Sequence, residues 1–319
     1  MKNVRTLPLG IDFGSTRVRI ALSEAAGDSQ PRILSVVSRN LSESPASAEL
    51  TAALLEEMLD ELEVRERRCV LALRSPSAAI RAIHFPRMSA VERNRAARFE
   101  ARRFANWNLD EEPSDVRVHP IDRSQGVYAV GAVRRDALDA LLKPAKLARL
   151  KVIAIDHDAF ALRRSFAQYD GVLDVGLERT ALHAYGDDGP MSWLVASGGA
   201  EITRGIARDL AIDFAAAEKR KCILGSAGAG ASACRELVAH VSHIVERARG
   251  RTRLSRIALT GNGVRLPGLQ AQLAAATSAI IEMPVSDLLR SDAYPDDVVR
   301  SAAPDWTLAA ALSGWTVAA

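Results

Sequence analysis

One short pattern occurs twice in the chain and divides it into two halves. The run GIDFGSTRVRIAL, at positions 10–22, contains an apolar segment, an Asp-x-Gly turn at Asp12 and a second segment with apolar residues at alternate positions. The run VLDVGLERTALHAY, at positions 172–185, repeats this order around Asp174, 162 positions further on. A single Asp-x-Gly turn is common in β-hairpins. Two such turns half a chain apart, each between apolar strands, predict a duplicated α/β unit with one hairpin opening each half.

The two turns carry groups that are suited to a polyphosphate. Glycine at Gly14 and Gly176 allows the backbone to approach a ligand closely and to present N–H groups to phosphate oxygens. Hydroxyl donors beside the turns are Ser15, Thr16 and Thr180. The carboxylates of Asp12 and Asp174 would hold Mg²⁺ through its water molecules, since this ion dehydrates reluctantly. The hairpins therefore predict a shared site for phosphate and magnesium.

A third glycine turn follows the apolar segment 257–260 in the second half. Its residues are Gly261, Asn262, Gly263 and Val264. Two residues without side chains leave room for a flat base on the backbone, although most isolated Gly-x-Gly turns bind nothing. Glu218 and Lys221 lie on one face of a helix predicted over 202–221. Two interpretations stay open for this pair: a weak surface ion pair, or contacts to the ribose and adenine of a nucleotide.

The composition excludes several classes of protein. A chain of 319 residues is long enough for two or three domains, and 48% hydrophobic with 25% charged residues is typical of a soluble globular protein. The formal net charge of +3 does not predict nucleic acid or an anionic membrane as the partner of the whole chain. The three cysteines lack disulfide or zinc-ligand spacing, and no apolar run is long enough for a leader or a membrane span. These features favour a cytoplasmic protein.

The periodicity predicts an inserted unit between the two repeats. The segment 48–62 has the spacing of an amphipathic helix. Strands are predicted at 69–73, 79–85, 116–121 and 127–133. Ser89 and Glu92 form a capping box, which predicts a helix from there to about Trp107. The predicted organisation is a first lobe over 1–75 and 135–170, an insertion over 76–134 and a second lobe over 171–319.

These motifs resemble, in the same order, those of the actin/FtsA/Hsp70 superfamily. GIDFGSTRVRIAL resembles the first phosphate motif, with Arg19 where its PilM-like members usually carry lysine, and LDVGLERTALHAY resembles the second. SGGAEIT, which contains Gly198 and Gly199, resembles a Gly-Gly motif, and AEKRK at 217–221 resembles Ala-Glu-x-x-Lys. TGNGVRLPGL at 260–269 resembles the adenosine motif. The resemblance implies an α/β, actin-like fold of two ribonuclease H-like lobes, with ATP and Mg²⁺ in the cleft between them.

The middle of the chain is similar to the PilM-like proteins of type IV pilus assembly. IHFPRMS at 83–89 resembles their apolar-x-x-Pro-x-Met-Ser sequence, which a Glu- and Arg-rich helix follows. The insertion has the position of the SHS2-like 1C subdomain of PilM and FtsA. The resemblance implies a cytoplasmic scaffold, recruited to the inner face of the inner membrane. Its groove between subdomains 1A and 1C would bind the N-terminal cytoplasmic tail of a PilN-like protein, and self-association is a further expectation.

Two departures from this pattern keep other functions open. The chain after Lys221 is short and rich in Gly and Ala, so the 2B subdomain around 203–250 is expected to be reduced. We expect no C-terminal amphipathic helix of the FtsA type, and so no direct insertion into a membrane. The alternatives are an FtsA-like polymerising division protein, an adaptor that no longer binds nucleotide, and a sugar-kinase-like enzyme. No residue that would align an attacking water is identified, which favours at most slow ATP hydrolysis.

Overall fold

The structure is a computed structural model. It describes residues 4–26, 31–41, 46–74, 76–105, 107–112, 114–186, 189–226, 228–289 and 295–315. Ser75, at the predicted border of the insertion, lies outside the described residues, as does Ala227 in the Gly- and Ala-rich stretch.

Strands and helices are interspersed along the chain. The strands are β1 (Val4–Thr6), β2 (Leu9–Phe13), β3 (Arg17–Ala26), β4 (Arg32–Asn40), β5 (Arg68–Leu73), β6 (Ala78–His84), β7 (Ser114–Asp122), β8 (Val127–Arg134), β9 (Lys151–His157), β10 (Gly171–Val175), β11 (Thr180–Gly186), β12 (Gly189–Val195), β13 (Arg256–Thr260) and β14 (Ile280–Glu282). The helices are α1 (Ala48–Glu61), α2 (Ala90–Phe104), α3 (Arg135–Leu147), α4 (Asp158–Ser165), α5 (Gly199–Leu210), α6 (Phe214–Leu224), α7 (Ala231–Arg249), α8 (Leu269–Thr277) and α9 (Asp296–Ser313). Short 3₁₀ helices lie at Asn262–Arg265 and Asp287–Leu289.

The two repeated hairpins occupy equivalent places in two separate sheets. In the first sheet, of order β1-β3-β2-β5-β9 with β4 beside β3, β2 runs antiparallel to β3 and parallel to β5. In the second, of order β12-β11-β10-β13-β14, β10 runs antiparallel to β11 and parallel to β13. This equivalence confirms the predicted duplicated, two-lobe α/β fold.

The insertion forms a third sheet, of order β6-β8-β7, covered by α2. The predicted capping box begins α2: Glu92 N donates to Ser89 Oγ at 3.3 Å, and Ser89 N donates to Glu92 Oε2 at 2.8 Å. The helix ends at Phe104, earlier than predicted, because the chain then becomes extended. Trp107 lies beyond it and donates its indole N–H to Ser114 Oγ at 2.9 Å. The subdomain borders themselves stay predictions.

The helix predicted over 202–221 is two helices. The backbone of Ala211 is left-handed, with φ of 52°, which ends α5. Asp213 then begins α6, because its carboxylate accepts a hydrogen bond from Ala216 N at 2.7 Å. The described residues of the segment 203–250, predicted as a reduced 2B subdomain, lie in α5, α6, α7 and their connections.

The C-terminal helix α9 returns to the first lobe. It packs on β2 and β3, although the sequence placed the whole of 171–319 in the second lobe. Leu308 and Leu312 of α9 share a buried cluster with Val70 of β5 and Val172 of β10, so this helix joins the cores of both lobes. None of the helices in the described ranges has the length and apolar character that a membrane span requires.

Candidate functional site

A cleft between the lobes contains most of the residues that the sequence predicts to bind a ligand. Its cavity has a volume of about 320 Å³ and lies where β2, β10 and β13 end. Small-molecule sites usually measure roughly 300–1,000 Å³. Asp12 from the first lobe and Asp174 from the second both line this cavity. The other predicted residues that line it are Gly14, Ser15, Thr16, Arg19, Gly176, Gly199, Glu218, Lys221, Gly261, Asn262 and Gly263.

Three predicted residues have packing roles instead. Thr180 is fully buried, and its hydroxyl donates to Ser197 O at 2.9 Å. Val264 belongs to the buried core of the second lobe. Gly198 packs on the second hairpin, where a Cβ atom would lie 2.5 Å from Gly176 O. The prediction that Thr180 donates to a phosphate is therefore wrong for this geometry, because its hydroxyl is buried and already bonded.

Two arginines neutralise Asp12. The register of the first hairpin places Arg19 opposite Asp12, with a guanidinium nitrogen 3.2 Å from Asp12 Oδ2. Arg74, which directly follows β5, pairs with Oδ1 of the same carboxylate. Arg74 reaches the first turn because β5 runs parallel to β2, so that both strands end at the same edge of the sheet. Asp12 is buried, and both of its carboxylate oxygens are in ion pairs.

A third arginine comes from the second lobe. Burial opposes the charge of Arg74, but Asp12, Asp174 and Asp158 outweigh burial and raise the pKa of Arg74. Arg179, in the second hairpin, also lines the cavity and lies 3.4 Å from Asp158 Oδ2. Burial, and after it the nearby charge of Arg74, lower the pKa of Arg179. The carboxylates of Asp158, Asp174 and Asp12 act in the opposite direction but do not outweigh these two effects. Arg74 from the first lobe and Arg179 from the second therefore both line the cleft.

Asp305 of α9 connects three parts of the cleft wall. Asp305 Oδ1 accepts hydrogen bonds from Arg19 Nε at 2.8 Å and from Asn262 Nδ2 at 2.6 Å. Its Oδ2 atom accepts from Ser38 Oγ at 3.1 Å and lies 3.1 Å from a guanidinium nitrogen of Arg17. Burial alone would raise the pKa of Asp305, but Arg19, Asn262 and Arg17 outweigh burial. The pKa of Asp305 is therefore below its ordinary value. The glycine turn is thus tied to the first lobe through α9.

Lys221 ties α6 to the start of α5. Its ammonium group donates to Gly199 O at 3.0 Å, to Thr203 Oγ1 at 2.8 Å and to Glu218 Oε2 at 2.7 Å. Lys221 is buried, whereas the side chain of Glu218 is 37% exposed and faces the cavity. Burial raises the pKa of Glu218, but Lys221 and Thr203 outweigh that effect and lower it. The ion pair of the first interpretation is present, but its lysine is buried and not on the surface; the contacts to ribose and adenine stay a prediction.

We expect Lys221→Met to reduce the free energy of unfolding by about 2 kcal/mol, because three acceptors would lose their charged donor. Lys219→Met is the matched control on the same helix, since Lys219 is exposed, and it should change stability by less than about 0.5 kcal/mol. Urea unfolding followed by circular dichroism measures both. Equal stability of the two variants would show that the buried ammonium does not hold α5 and α6 together.

The glycines of the third turn are required by close packing. Gly261 has φ of 84°, and a Cβ atom there would overlap Asp174 Oδ1. A Cβ atom at Gly263 would overlap the side chain of Val175. Glycine therefore allows the end of β13 to lie directly against the end of β10, in addition to leaving the cavity open.

Comparison with solved structures identifies the fold. The structure of the PilM–PilN type IV pilus biogenesis complex matches with a TM-score of 0.77 and 22% sequence identity, over 96% of this chain and 97% of that chain. The chain has the actin-like fold of PilM. The ethanolamine utilization protein EutJ from Carboxydothermus hydrogenoformans matches with a TM-score of 0.58 and 14% identity, over 97% of this chain and 89% of that chain. No protein-family model matches the chain, and no curated protein does.

Arginines occupy the first-lobe side of the predicted magnesium site in this PilM-like cleft. Within the described ranges, no group of three or more His, Cys, Asp or Glu side chains could hold a metal ion. Asp12, a predicted ligand together with Asp174, has both carboxylate oxygens in ion pairs. A divalent cation bound there would meet the like charges of Arg19 and Arg74 at close range.

The sequence motifs did not point to Arg74, Arg179 or Asp305 as residues of the cleft. Arg74 carried a usable signal, since it directly follows an apolar strand, and ligands of α/β folds bind where parallel strands end. Arg179 belongs to the second hairpin itself and could have been included with it. Asp305 carried no local signal, because it reaches the cleft only through the packing of α9 on the first lobe.

Proposed function

We propose that this chain is an actin-like scaffold for the assembly of a type IV pilus or a related secretion machine. It would bind the N-terminal cytoplasmic tail of a PilN-like protein in the groove between subdomains 1A and 1C, at the inner face of the inner membrane. The main support is the likeness to PilM over nearly the whole of both chains, in a structure that also contains PilN. The sheet of β6, β7 and β8 with α2 supplies the insertion that this groove needs.

We further propose that the cleft binds a nucleotide, with ATP as the one that the motifs favour. Both Asp-x-Gly hairpins and the glycine turn meet at one cavity. The Oδ1 atom of Asn262 is buried without a hydrogen-bond partner among the described residues, so it is available to accept from a ligand such as an adenine amino group. Glu218 faces the same cavity and could accept hydrogen bonds from ribose hydroxyls.

Calorimetric titration with the N-terminal cytoplasmic tail of a PilN-like protein tests the scaffold. We expect the tail to bind, and ATP to change its affinity, because a nucleotide between two lobes favours one relative arrangement of them. The tail should change the affinity for ATP by the same factor, since coupling between two binding sites is reciprocal. A peptide of the same composition in scrambled order is the control.

Hydrogen exchange in the presence of the tail locates its site. Protection should occur within 76–134 and in the neighbouring first-lobe segments. Protection confined to the second lobe would contradict the proposed groove, and no binding of the tail in either nucleotide condition would contradict the scaffold.

An adaptor without nucleotide is the second candidate, and the double ion pair of Asp12 favours it. It predicts that the tail binds normally while ATP does not bind in any buffer.

A further inference from the structure

The acidic groups on the first-lobe side of the cleft are neutralised by arginines of the chain itself. Asp12 pairs with Arg19 and Arg74, and Asp305 pairs with Arg19 and Arg17. An actin-like cleft in which carboxylates recruit a metal needs those carboxylates to be available to its water shell. Here both first-lobe carboxylates are paired, while Arg74 and Arg179 line the cavity together with the carboxylates Asp174, Glu178 and Glu218.

We infer that the cleft binds the phosphates of its nucleotide directly through Arg74 and Arg179, without a divalent metal. This inference rests on the proposed nucleotide function and specifies how that site recognises its ligand. The arginines would replace, and not assist, the magnesium ion that the motifs predict.

The positions of the two arginines support direct recognition of phosphate. Their side chains are partly exposed, 24% for Arg74 and 20% for Arg179, and both line the cavity. Arg74 follows β5 in the first lobe, and Arg179 lies in the hairpin of the second lobe. A guanidinium group presents planar N–H donors that match two phosphate oxygens at once, so each arginine can form paired, charge-assisted hydrogen bonds.

The charges favour an anion between the lobes. Arg74 lies close enough to disfavour the charge of Arg179, so the two cations repel one another across the cleft. A polyphosphate between them would replace this repulsion with two attractions and would hold the lobes together. A metal ion in the same place would be repelled by Arg19, Arg74 and Arg179, and on the first-lobe side it would find Asp12 already paired.

Calorimetric titration of ATP in EDTA and in excess Mg²⁺ tests the inference with the full-length chain. The wild type should bind ATP in EDTA at least as tightly as in Mg²⁺. Arg74→Ala should weaken binding in EDTA by about 10- to 100-fold, the loss expected for charged hydrogen bonds. Arg98→Ala, which removes an exposed arginine of α2, is the matched control and should leave ATP binding unchanged.

Asp12→Asn gives a second test whose sign separates the two mechanisms. If arginines hold the phosphates, this variant should bind ATP severalfold more tightly in EDTA, because Arg19 and Arg74 lose a competing carboxylate. If Asp12 recruits Mg²⁺, the variant should bind more weakly in Mg²⁺. Binding that requires Mg²⁺, or that Arg74→Ala leaves unchanged, would overturn the inference and leave the nucleotide proposal standing. No binding of ATP by the wild type in either buffer would overturn both.

Discussion

Gly10→Ala is expected to reduce the free energy of unfolding by about 3 kcal/mol, or to prevent folding. Gly10 lies inside β2, directly under α9. A Cβ atom there would overlap the backbone oxygen of Ala309 and the backbone nitrogen of Ser313. These are backbone atoms of a helix, so they cannot move aside as a flexible side chain could. The helix would have to lift from the sheet and take Asp305 away from its arginines.

Gly131→Ala is the matched control for this prediction. Gly131 also lies inside a strand, β8, but a Cβ atom there would have no neighbour within 4 Å. Alanine should therefore be neutral or stabilise the chain by less than about 1 kcal/mol. Chemical denaturation of both variants measures the difference. Similar midpoints for the two would mean that α9 does not pack on β2 as closely as the structure shows.

Asp158→Asn is expected to cost about 3 kcal/mol at neutral pH, because it removes the completely buried counter-charge of Arg179. Asp158 is completely buried, with its carboxylate 2.9 Å from His157 Nδ1, 3.7 Å from His183 Nε2 and 3.4 Å from a guanidinium nitrogen of Arg179. Asparagine preserves the volume and an acceptor for Ala159 N, which donates to Asp158 Oδ1. The loss therefore reports mainly on charge.

The same variant should also change how stability depends on pH. Burial raises the pKa of Asp158, but His183, His157 and Arg179 outweigh burial and hold it well below its ordinary value. A carboxyl group with a depressed pKa in the folded state stabilises the fold above its unfolded pKa, and this contribution is lost as the pH falls toward the folded value. The difference in the free energy of unfolding between wild type and Asp158→Asn should therefore narrow as the pH falls below about 4.

Asp156→Asn is the control for both measurements. Asp156 pairs with Arg164 at 2.6 Å, and the side chain of that arginine is 35% exposed. Such a pair contributes about 1 kcal/mol or less, because water solvates the partner that remains. If Asp156→Asn and Asp158→Asn reduce the free energy of unfolding equally, the interactions of the buried Asp158 are not stronger than the pair of Asp156 with Arg164.

The parts of the fold that depend on residues close together in the sequence were predictable. The two hairpins follow from strand patterning around Asp12 and Asp174, and the start of α2 follows from Ser89 and Glu92, which bond to each other across one helical turn. The segment 202–221 was predicted less well. The break between α5 and α6 depends on the left-handed backbone of Ala211, and alanine rarely adopts this conformation, so its presence does not predict a helix end.

The sequence by itself determined the duplication and the equivalence of the hairpins, because a local pattern repeats. In the folded chain the hairpins and the third glycine turn meet at one cavity. Only the tertiary structure decided the charge of that cavity. Arg17 and Asp305, which pair in its wall, are 288 positions apart and meet because α9 packs on the first lobe. Arg74 meets Asp12 because two strands run parallel. Electrostatic interactions depend on distance in space. A local sequence pattern does not specify which side chains from distant helices or strands will lie close together.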